Sequence, residues 1–450
     1  MAVITRTRAV PAAVKHSPPS VWWLSPVTVS LFIAVVSIVP TALISDLQFR
    51  TLWRTPKSIT PETLLLFGCG AGALAFGALI MTTLAPATRP LRSQWPVLSE
   101  SSFGLLRRAS TVLTTVTVIG YAGFAVLVAL SGMSLAELIT GSAAHKAGVE
   151  VRDVVGTIPG VTTMTQFGVA AVVVSTTLLV HGYSRAELAK LLVVIGCALP
   201  RAYIFSERLA ILELVVPMTV IFAAHLSVRG GLRRKLMQVI PVVGFFAVIA
   251  MFGFFEYFRS WTYYRTHTST SYVQFVASRF AGYYTTALNN GQLVLEYLQW
   301  PTRIPYNTLE ALWTAPGVQR ANAYELLGGH QPPHIREDSK SIYTSVLNHY
   351  GNPEFNNQSG YVGAFVDYGR VGGVVCMLLI GLLAGFLYRQ FCQGKPVGLF
   401  VYPVVFIGLV ELPRYIYWAQ GRATYAWIGL LVVALLVSRS EARAKAKAGP

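Results

Sequence analysis

The chain has 450 residues, of which 54% are hydrophobic and only 12% are charged. A soluble protein carries about 25% charged residues, so the composition excludes an ordinary soluble protein and predicts an all-α polytopic membrane protein. The net charge of +17 does not indicate a nucleic-acid partner. The basic residues are spread over short loops between apolar runs, where they set topology and meet anionic membrane lipids.

Hydrophobic runs of membrane-spanning length recur along the whole chain. A bilayer core about 30 Å thick is crossed by roughly 20 apolar residues in a helix, and we predict ten spans, of which the fifth is short. They lie at residues 27–45, 62–85, 109–131, 165–181, 187–200, 209–227, 236–255, 360–388, 398–413 and 421–438. The first run is too long for a signal peptide and no clear cleavage site follows it, so we expect an uncleaved span.

The predicted spans divide the chain into five parts. These are a basic tail at residues 1–20, spans 1–7 within 21–255, a long polar segment at 256–359, spans 8–10 within 360–438, and a second basic tail at 439–450. An even number of spans places both termini on the same side. The expected fold is therefore a bundle of about ten transmembrane helices with one long, partly helical loop.

The basic residues of the short loops fall on one side of the predicted bundle. They are Arg89, Arg92, Arg107, Arg108, Arg185, Lys190, Arg229, Arg233, Arg234, Lys235, Arg389 and Lys395, together with the bases of both tails. Short loops rich in Lys and Arg face the cytoplasm. We therefore expect both termini in the cytoplasm and the segment 256–359 on the opposite, extracytoplasmic side. Long segments cross a membrane largely regardless of their own charge.

Several arginines of the expected outer face lie close to the membrane surface and next to aromatic residues. They are Arg201, Arg208, Arg259, Arg265, Arg279, Arg414 and Arg422. A guanidinium group is a planar, permanently charged fork that suits phosphate oxygens, and aromatic faces stack on sugar rings. Together they are typical of a site for a lipid-linked sugar pyrophosphate. The alternative is an interfacial aromatic belt with arginines that extend their charged ends to water.

The long polar segment contains one amphipathic stretch, from Tyr272 to Leu288. Its apolar residues recur every three or four positions, and Arg279 shares their face, which predicts a helix at the membrane interface or re-entering its edge. Asn289-Asn290-Gly291 is expected to end the helix. An arginine within an apolar stripe needs an anionic partner, which could be Glu256 or a substrate phosphate.

Three stretches are similar to those of one family. Phe205-Ser-Glu-Arg-Leu-Ala-Ile-Leu212 resembles a Gly-Ser-Arg turn followed by a hydrophobic helix, a long outer segment follows the seventh span, and Asn356-Asn-Gln-Ser-Gly-Tyr-Val-Gly-Ala-Phe-Val-Asp-Tyr-Gly-Arg-Val-Gly-Gly373 resembles an aromatic-rich stretch that leads into a span. The chain thereby resembles bacterial oligosaccharide repeat-unit polymerases of the O-antigen polymerase (Wzy-like) type, over roughly residues 195–390. The Ser-Glu-Arg turn departs from the family pattern at Glu207.

The resemblance implies an enzyme of the bacterial cytoplasmic membrane. Its substrates would be oligosaccharide repeat units on undecaprenyl pyrophosphate, and it would transfer the growing chain onto a new lipid-linked unit at the outer face. The family is regarded as independent of metals, so no cofactor is expected. Partners would be the lipid-linked oligosaccharide, membrane lipids and a chain-length regulator protein.

Glycosyl transfer from a pyrophosphate lipid requires that the leaving group be stabilised and that the acceptor hydroxyl lose its proton. For the first task we expect Arg201, Arg208 and Arg279, with Arg259, Arg265 and Arg414 in reserve. Asp367, Glu207 and Glu411 are the expected bases; the further acids and histidines considered are Glu256, Glu354, His330 and His334.

Two of the expected bases have a structural alternative. Asp367 precedes Arg370 by three residues, and Glu411 precedes Arg414 by the same distance, a spacing at which helical residues form ion pairs. Glu213 lies inside the sixth span, where an acid either pairs with an arginine or marks a proton path. His330 and His334 are separated by two prolines, which excludes a helical zinc-binding face and predicts a solvated loop.

Other functions remain open at this point. A glycan ligase would share the lipid donor, a transporter or flippase of lipid-linked sugars would need polar residues at the membrane midplane, and a structural or sensor protein would not require arginine–aromatic clusters in separate loops. The glycines of the second span (Gly68, Gly70, Gly72, Gly77) and of the eighth (Gly381, Gly385) predict close helix packing rather than chemistry.

Overall fold

The structure is a computed structural model that describes residues 21–84, 98–132, 160–204, 207–229, 231–267, 269–298, 304–329 and 342–447, together with positions 96, 155 and 158. Regular structure in these ranges consists of helices, without strands. The chain is an all-helical, multi-pass membrane protein.

Thirteen helices of eight or more residues are used below. The first six are α1 (Pro26–Leu43), α2 (Asp46–Trp53), α3 (Pro61–Leu79), α4 (Glu100–Leu130), α5 (Phe167–His181) and α6 (Arg185–Ile204). The others are α7 (Leu209–Val228), α8 (Gly231–Glu256), α9 (Tyr272–Tyr297), α10 (Ile342–Tyr350), α11 (Gly360–Cys392), α12 (Pro396–Glu411) and α13 (Gly421–Lys447). Short π-helical turns at Ile80–Leu84 and Tyr257–Trp261 extend α3 and α8.

Each of the ten predicted spans coincides with a helix. Eight helices of the described ranges are long and apolar enough to cross a membrane: α1, α3, α4, α5 with the turn before it, α7, α8, α11 and α13. The remaining two predictions, at 187–200 and 398–413, correspond to α6 and α12. α12 is apolar but has only 16 residues, most of them buried inside the bundle, and α6 has 20 residues but carries charges near both ends.

Small residues bring α3 and α11 into direct backbone contact. A Cβ atom at Gly381 would lie 2.0 Å from the carbonyl oxygen of Leu74, and one at Gly77 would lie 2.2 Å from that of Leu378. Gly385 is similarly crowded, by Ala78, whereas Gly68 and Gly72 face open space. The predicted packing role is therefore confirmed for Gly77, Gly381 and Gly385 and wrong for Gly68 and Gly72.

The amphipathic stretch forms α9, which is longer than predicted and packs against α1, α2, α8, α10 and α11. The prediction that Asn289-Asn290-Gly291 ends this helix is wrong, because the two amides join α9 to neighbouring loops instead. The Asn289 side chain accepts hydrogen bonds from the backbone N–H groups of Ser58 and Ile59 at 2.8 and 2.9 Å. The Asn290 amide donates to the carbonyl of Phe355 at 2.6 Å.

A short helix that sequence analysis did not predict, α2, fastens the loop after α1 to α9. It begins with a capping box between Ser45 and Gln48, an arrangement that satisfies exposed N–H groups at a helix start. It buries Phe49 and Trp53, and the indole of Trp53 donates to the carbonyl of Ser278 at 2.9 Å. This contact fixes α9 next to the arginines described below.

Candidate functional site

Five arginines lie at one end of the bundle, the end predicted to be extracytoplasmic. Each forms an ion pair with at least one glutamate of that end. We call this set the arginine network; it comprises Arg201, Arg208, Arg279, Arg414 and Arg422 with Glu207, Glu213, Glu256, Glu354 and Glu411. The elements that position it are the α6–α7 turn, the ends of α8 and α12, α9, the loop before α11 and the start of α13.

Glu256, at the end of α8, is the centre of the network. Its side chain is fully buried and pairs with Arg208 through one oxygen. The other oxygen lies 2.9 Å from Nε of Arg279, as an ion contact without hydrogen-bond geometry. A buried carboxylate needs such compensation because its transfer from water costs several kcal/mol or more. The expected contact between Arg279 and Glu256 is therefore present.

Arg208 lies in a pocket of aromatic rings. Its guanidinium carbon is 4.0 Å from the ring centroid of Phe252 and 4.8 Å from that of Tyr283, distances at which a cation is attracted to an aromatic face. The same guanidinium donates a hydrogen bond of 3.1 Å to the Tyr283 hydroxyl. Only 11% of the Arg208 side chain is exposed, so these neighbours, rather than water, stabilise its positive charge.

Arg279 continues the network towards the loop before α11. Its Nη1 donates to Glu354 at 2.7 Å, and the hydroxyl of Tyr264 donates to the same carboxylate at 3.0 Å. Burial raises the pKa of Glu354, but the charge of Arg279 and these hydrogen bonds outweigh it, so the pKa is lowered overall. Arg54, at a left-handed φ of 52°, stands 5.3 Å from the Tyr264 ring and adds positive charge.

Tyr283 connects Arg208 to Arg414, whose guanidinium lies 5.6 Å from the same ring. Arg414 pairs with Glu411 at 2.8 Å, which confirms the ion pair expected from their spacing. Within the described ranges, Nε of Arg414 and the hydroxyl of the adjacent Tyr415 are buried without a hydrogen-bond partner. Unsatisfied buried donors are costly, so these two groups are available to an acceptor that the protein itself does not supply.

Two further pairs complete the network. Arg201 pairs with Glu207 at 3.0 Å and donates to Thr165 at 3.3 Å. Glu213, in the first turns of α7, pairs with Arg422 at 3.2 Å. Of the two alternatives predicted for Glu213, the pair with an arginine is therefore present. The adjacent residues Glu207 and Arg208 therefore have different partners. Glu207 pairs with Arg201, and Arg208 pairs with Glu256.

Asp367 serves as an anchor in this structure. Its two oxygens accept five hydrogen bonds of 2.7–3.1 Å from the segment Tyr306–Thr308, three from backbone N–H groups and two from side chains. The alternative in which it pairs with Arg370 is wrong, since Arg370 pairs with Glu62 at 2.8 Å. Gly369 interrupts α11 just beyond it with a φ of 72°, a conformation that glycine adopts without strain.

The remaining predicted residues lie outside the arginine network or outside the described part of the chain. Arg265 is exposed. The backbone of Arg259 belongs to the turn Tyr257–Trp261, but its side chain is not among those described. His330, His334, Phe205 and Ser206 lie outside the described residues. No group of three His, Cys, Asp or Glu side chains suited to a metal ion occurs within the described ranges.

Sequence analysis missed Glu310, in the short helix Glu310–Trp313 that packs against α13. It is half-buried, and burial raises its pKa to about 7 although Arg422 acts in the opposite direction. Its neighbours in sequence are apolar and give no sign of this environment. Only the fold brings residue 310 close to the start of α13.

The arrangement offers many N–H donors to an anion at one end of a membrane bundle. A guanidinium group has five such donors, and each of these arginines uses only part of them on its carboxylate. The aromatic rings around Arg208, Arg279 and Arg414 lower the local polarity and strengthen electrostatic attraction. Such a set of donors suits an oxyanion. In comparisons with known proteins, no family model, no curated protein and no solved structure matches the chain.

Proposed function

We propose that this chain is a membrane glycosyltransferase that polymerises polyprenyl-pyrophosphate-linked oligosaccharide units at the outer face of the bacterial cytoplasmic membrane. The observation that carries the proposal is that three arginines gather at one end of a lipid-embedded bundle. Arg208 and Arg414 both lie against the Tyr283 ring, and Arg279 shares the Glu256 carboxylate with Arg208. A polyprenyl pyrophosphate presents its charge at that level of the membrane while its tail stays in the bilayer.

Electrostatic stabilisation of the leaving group is the part of the chemistry that this cluster supports best. When the bond between the anomeric carbon and pyrophosphate breaks, negative charge develops on the pyrophosphate oxygens. Fixed cations in a poorly hydrated site stabilise such charge strongly, and the loss of one such donor typically costs about 100- to 1,000-fold in rate. Arg414 Nε and the Tyr415 hydroxyl, both buried without hydrogen-bond partners within the described ranges, would donate to these oxygens.

The same placement favours a transferase over the alternatives. A transporter would require polar groups near the membrane midplane, whereas much of the arginine network lies at the ends of α6, α8 and α12. A ligase would use the same donor lipid and differ in its acceptor. The polymerase is preferred because of the resemblance, and a chain-length regulator protein is the partner that it implies.

Gene deletion in the native host tests the proposal. We expect surface polysaccharide to lose its long chains while single repeat units still reach their final acceptor. Wild-type protein should restore the ladder of chain lengths on a gel. Arg208→Ala should fail to restore it at equal protein level, and Arg208→Lys should restore it poorly because lysine lacks the planar fork.

Arg370→Ala is the matched control, because Arg370 is an exposed arginine outside the network that pairs only with the exposed Glu62 among described residues. It should restore long chains fully. Unchanged chain length after deletion would refute the polymerase. Loss of all exported sugar, with lipid-linked units retained inside, would instead indicate a flippase.

A further inference from the structure

The segment that carries Glu310 is held rigidly against the bundle. Asp367 fixes residues Tyr306–Thr308 by five hydrogen bonds. Trp313 donates through its indole to the carbonyl of Pro305 at 2.8 Å, and the hydroxyl of Tyr324 donates to the carbonyl of Ile304 at 3.0 Å. A group that reacts with substrate must be held on such a supported element.

This anchoring places Glu310 beside the arginine network. The helix Glu310–Trp313 packs against α13, and Arg422 of α13 lies within electrostatic range of the Glu310 carboxyl group. The titratable and charged groups that face Glu310 among the described residues are Arg422 and, on its own segment, Tyr306. Arg422 is itself paired with Glu213 at 3.2 Å.

The carboxylates of the arginine network and Asp367 are already committed. Glu207, Glu213, Glu256, Glu354 and Glu411 each form an ion pair with an arginine of the network. Asp367 is occupied by its five hydrogen bonds. Among the described residues, Glu310 has no arginine or lysine at ion-pair distance, and it is the half-buried acid of this region whose oxygens remain available to a substrate hydroxyl.

The acid–base behaviour of Glu310 agrees with its position. Its pKa of about 7, raised by burial and lowered in part by Arg422, is well matched to proton transfer at neutral pH. By contrast, the pKa of Glu354 is lowered overall, because the charge of Arg279 outweighs the effect of burial. Glu310 can both accept a proton during a reaction and release it afterwards.

We infer that Glu310 is the general base that accepts the proton of the acceptor sugar hydroxyl. The inference rests on the proposed function. The acceptor oxygen forms a bond to the anomeric carbon of the donor as the bond from that carbon to pyrophosphate breaks. The electron pair leaves with the polyprenyl pyrophosphate, held by the arginine network, and the hydroxyl proton moves to Glu310 and then to water.

The test is steady-state kinetics of purified protein in vesicles, with a polyprenyl-pyrophosphate-linked oligosaccharide as substrate. Glu310→Gln should lower kcat by about 100-fold or more and leave KM for the lipid-linked substrate close to that of wild type. The wild-type kcat should fall as the pH decreases through about 7, and this limb of the profile should be absent from Glu310→Gln. Glu296→Gln, which changes an exposed acid at the end of α9, should match wild type.

Glu310→Asp keeps the acid but withdraws it by one methylene group, and it serves if the glutamine variant does not fold. It should retain partial turnover with an unchanged KM. Wild-type kcat and an unaltered pH profile in Glu310→Gln would overturn the inference while leaving the polymerase intact. Absence of polymer with wild-type protein would refute the proposed function itself.

Discussion

Arg279 of α9 contacts Glu256 at the end of α8, with 2.9 Å between Nε and Oε2. The carboxylate is fully buried and also pairs with Arg208, so one anion holds two cations that come from different parts of the chain. Through Glu256, this contact joins α9 to the end of α8 and to Arg208, the residue before α7. The positions of Arg208 and Arg279 relative to each other therefore depend on Glu256.

Neutralising Glu256 should destabilise the protein strongly. Glu256→Gln leaves Arg208 and Arg279 buried without their shared anion, and breaking a buried ion pair costs about 3–5 kcal/mol. We expect a clear fall in the melting temperature in detergent. The double variant Arg208→Met with Glu256→Gln should recover part of the loss, since it also removes one unpaired charge. A melting temperature equal to that of Glu296→Gln would contradict this account of the network.

Replacing Asp367 should release the segment that carries Glu310. Asp367→Asn removes a charge that accepts five hydrogen bonds, and bonds to charged groups contribute about 1.5–3 kcal/mol each. Hydrogen exchange of the Tyr306, Asn307 and Thr308 amides should become faster, with α4 unaffected. Asp46→Asn, which alters an exposed acid that pairs with Arg50, is the control. Unchanged exchange at these amides would show that Asp367 is not the anchor.

Glu310 should make stability depend on pH. Its pKa in the folded state is raised from 4.5 to about 7, so the folded state favours the protonated acid, and stability decreases as the pH rises from below 4.5 to above 7. Glu310→Gln lacks this penalty. Its melting temperature should equal that of wild type near pH 4 and exceed it near pH 8. A variant less stable than wild type at pH 8 would mean that the ionised carboxylate has a structural partner.

The contact between α3 and α11 should not tolerate a single methyl group. A Cβ at Gly381 would lie 2.0 Å from a backbone oxygen that cannot move aside cheaply, and overpacking of this kind costs about 1–3 kcal/mol. Gly381→Ala should lower the melting temperature and the yield of folded protein. Gly72→Ala, on the open side of α3, should behave as wild type, and equal losses in both variants would argue against the packing.

Much of the fold could be predicted from hydropathy, because a membrane span is a local property of about 20 residues. The ends of α9 could not be predicted in this way. Asn289 and Asn290 have the composition of a helix end, and only the loops at Ser58–Ile59 and Phe355 reveal that their amides bond elsewhere. Tertiary hydrogen bonds thus overrode a local signal.

The arginines of the candidate site could be predicted from the sequence, but several of their ion-pair partners could not. Arginines beside aromatic residues at span ends were visible in the sequence, and Arg201, Arg208, Arg279 and Arg414 all belong to the network. Asp367 was expected to be available and instead anchors the loop at Thr308. The environment of Glu310 could not be predicted because it comes from α13, which lies beyond α10, α11 and α12 in the chain.

The most direct test of the central claim is the reaction itself. Purified protein would be placed in vesicles with a polyprenyl-pyrophosphate-linked oligosaccharide, and the lipid-linked products and free polyprenyl pyrophosphate would be measured together. The account predicts longer oligosaccharides on the lipid and one polyprenyl pyrophosphate released per unit added. In Arg208→Ala the rate should be lower by a factor of about 100 or more. Oligosaccharides of unchanged length with no release of polyprenyl pyrophosphate would contradict it.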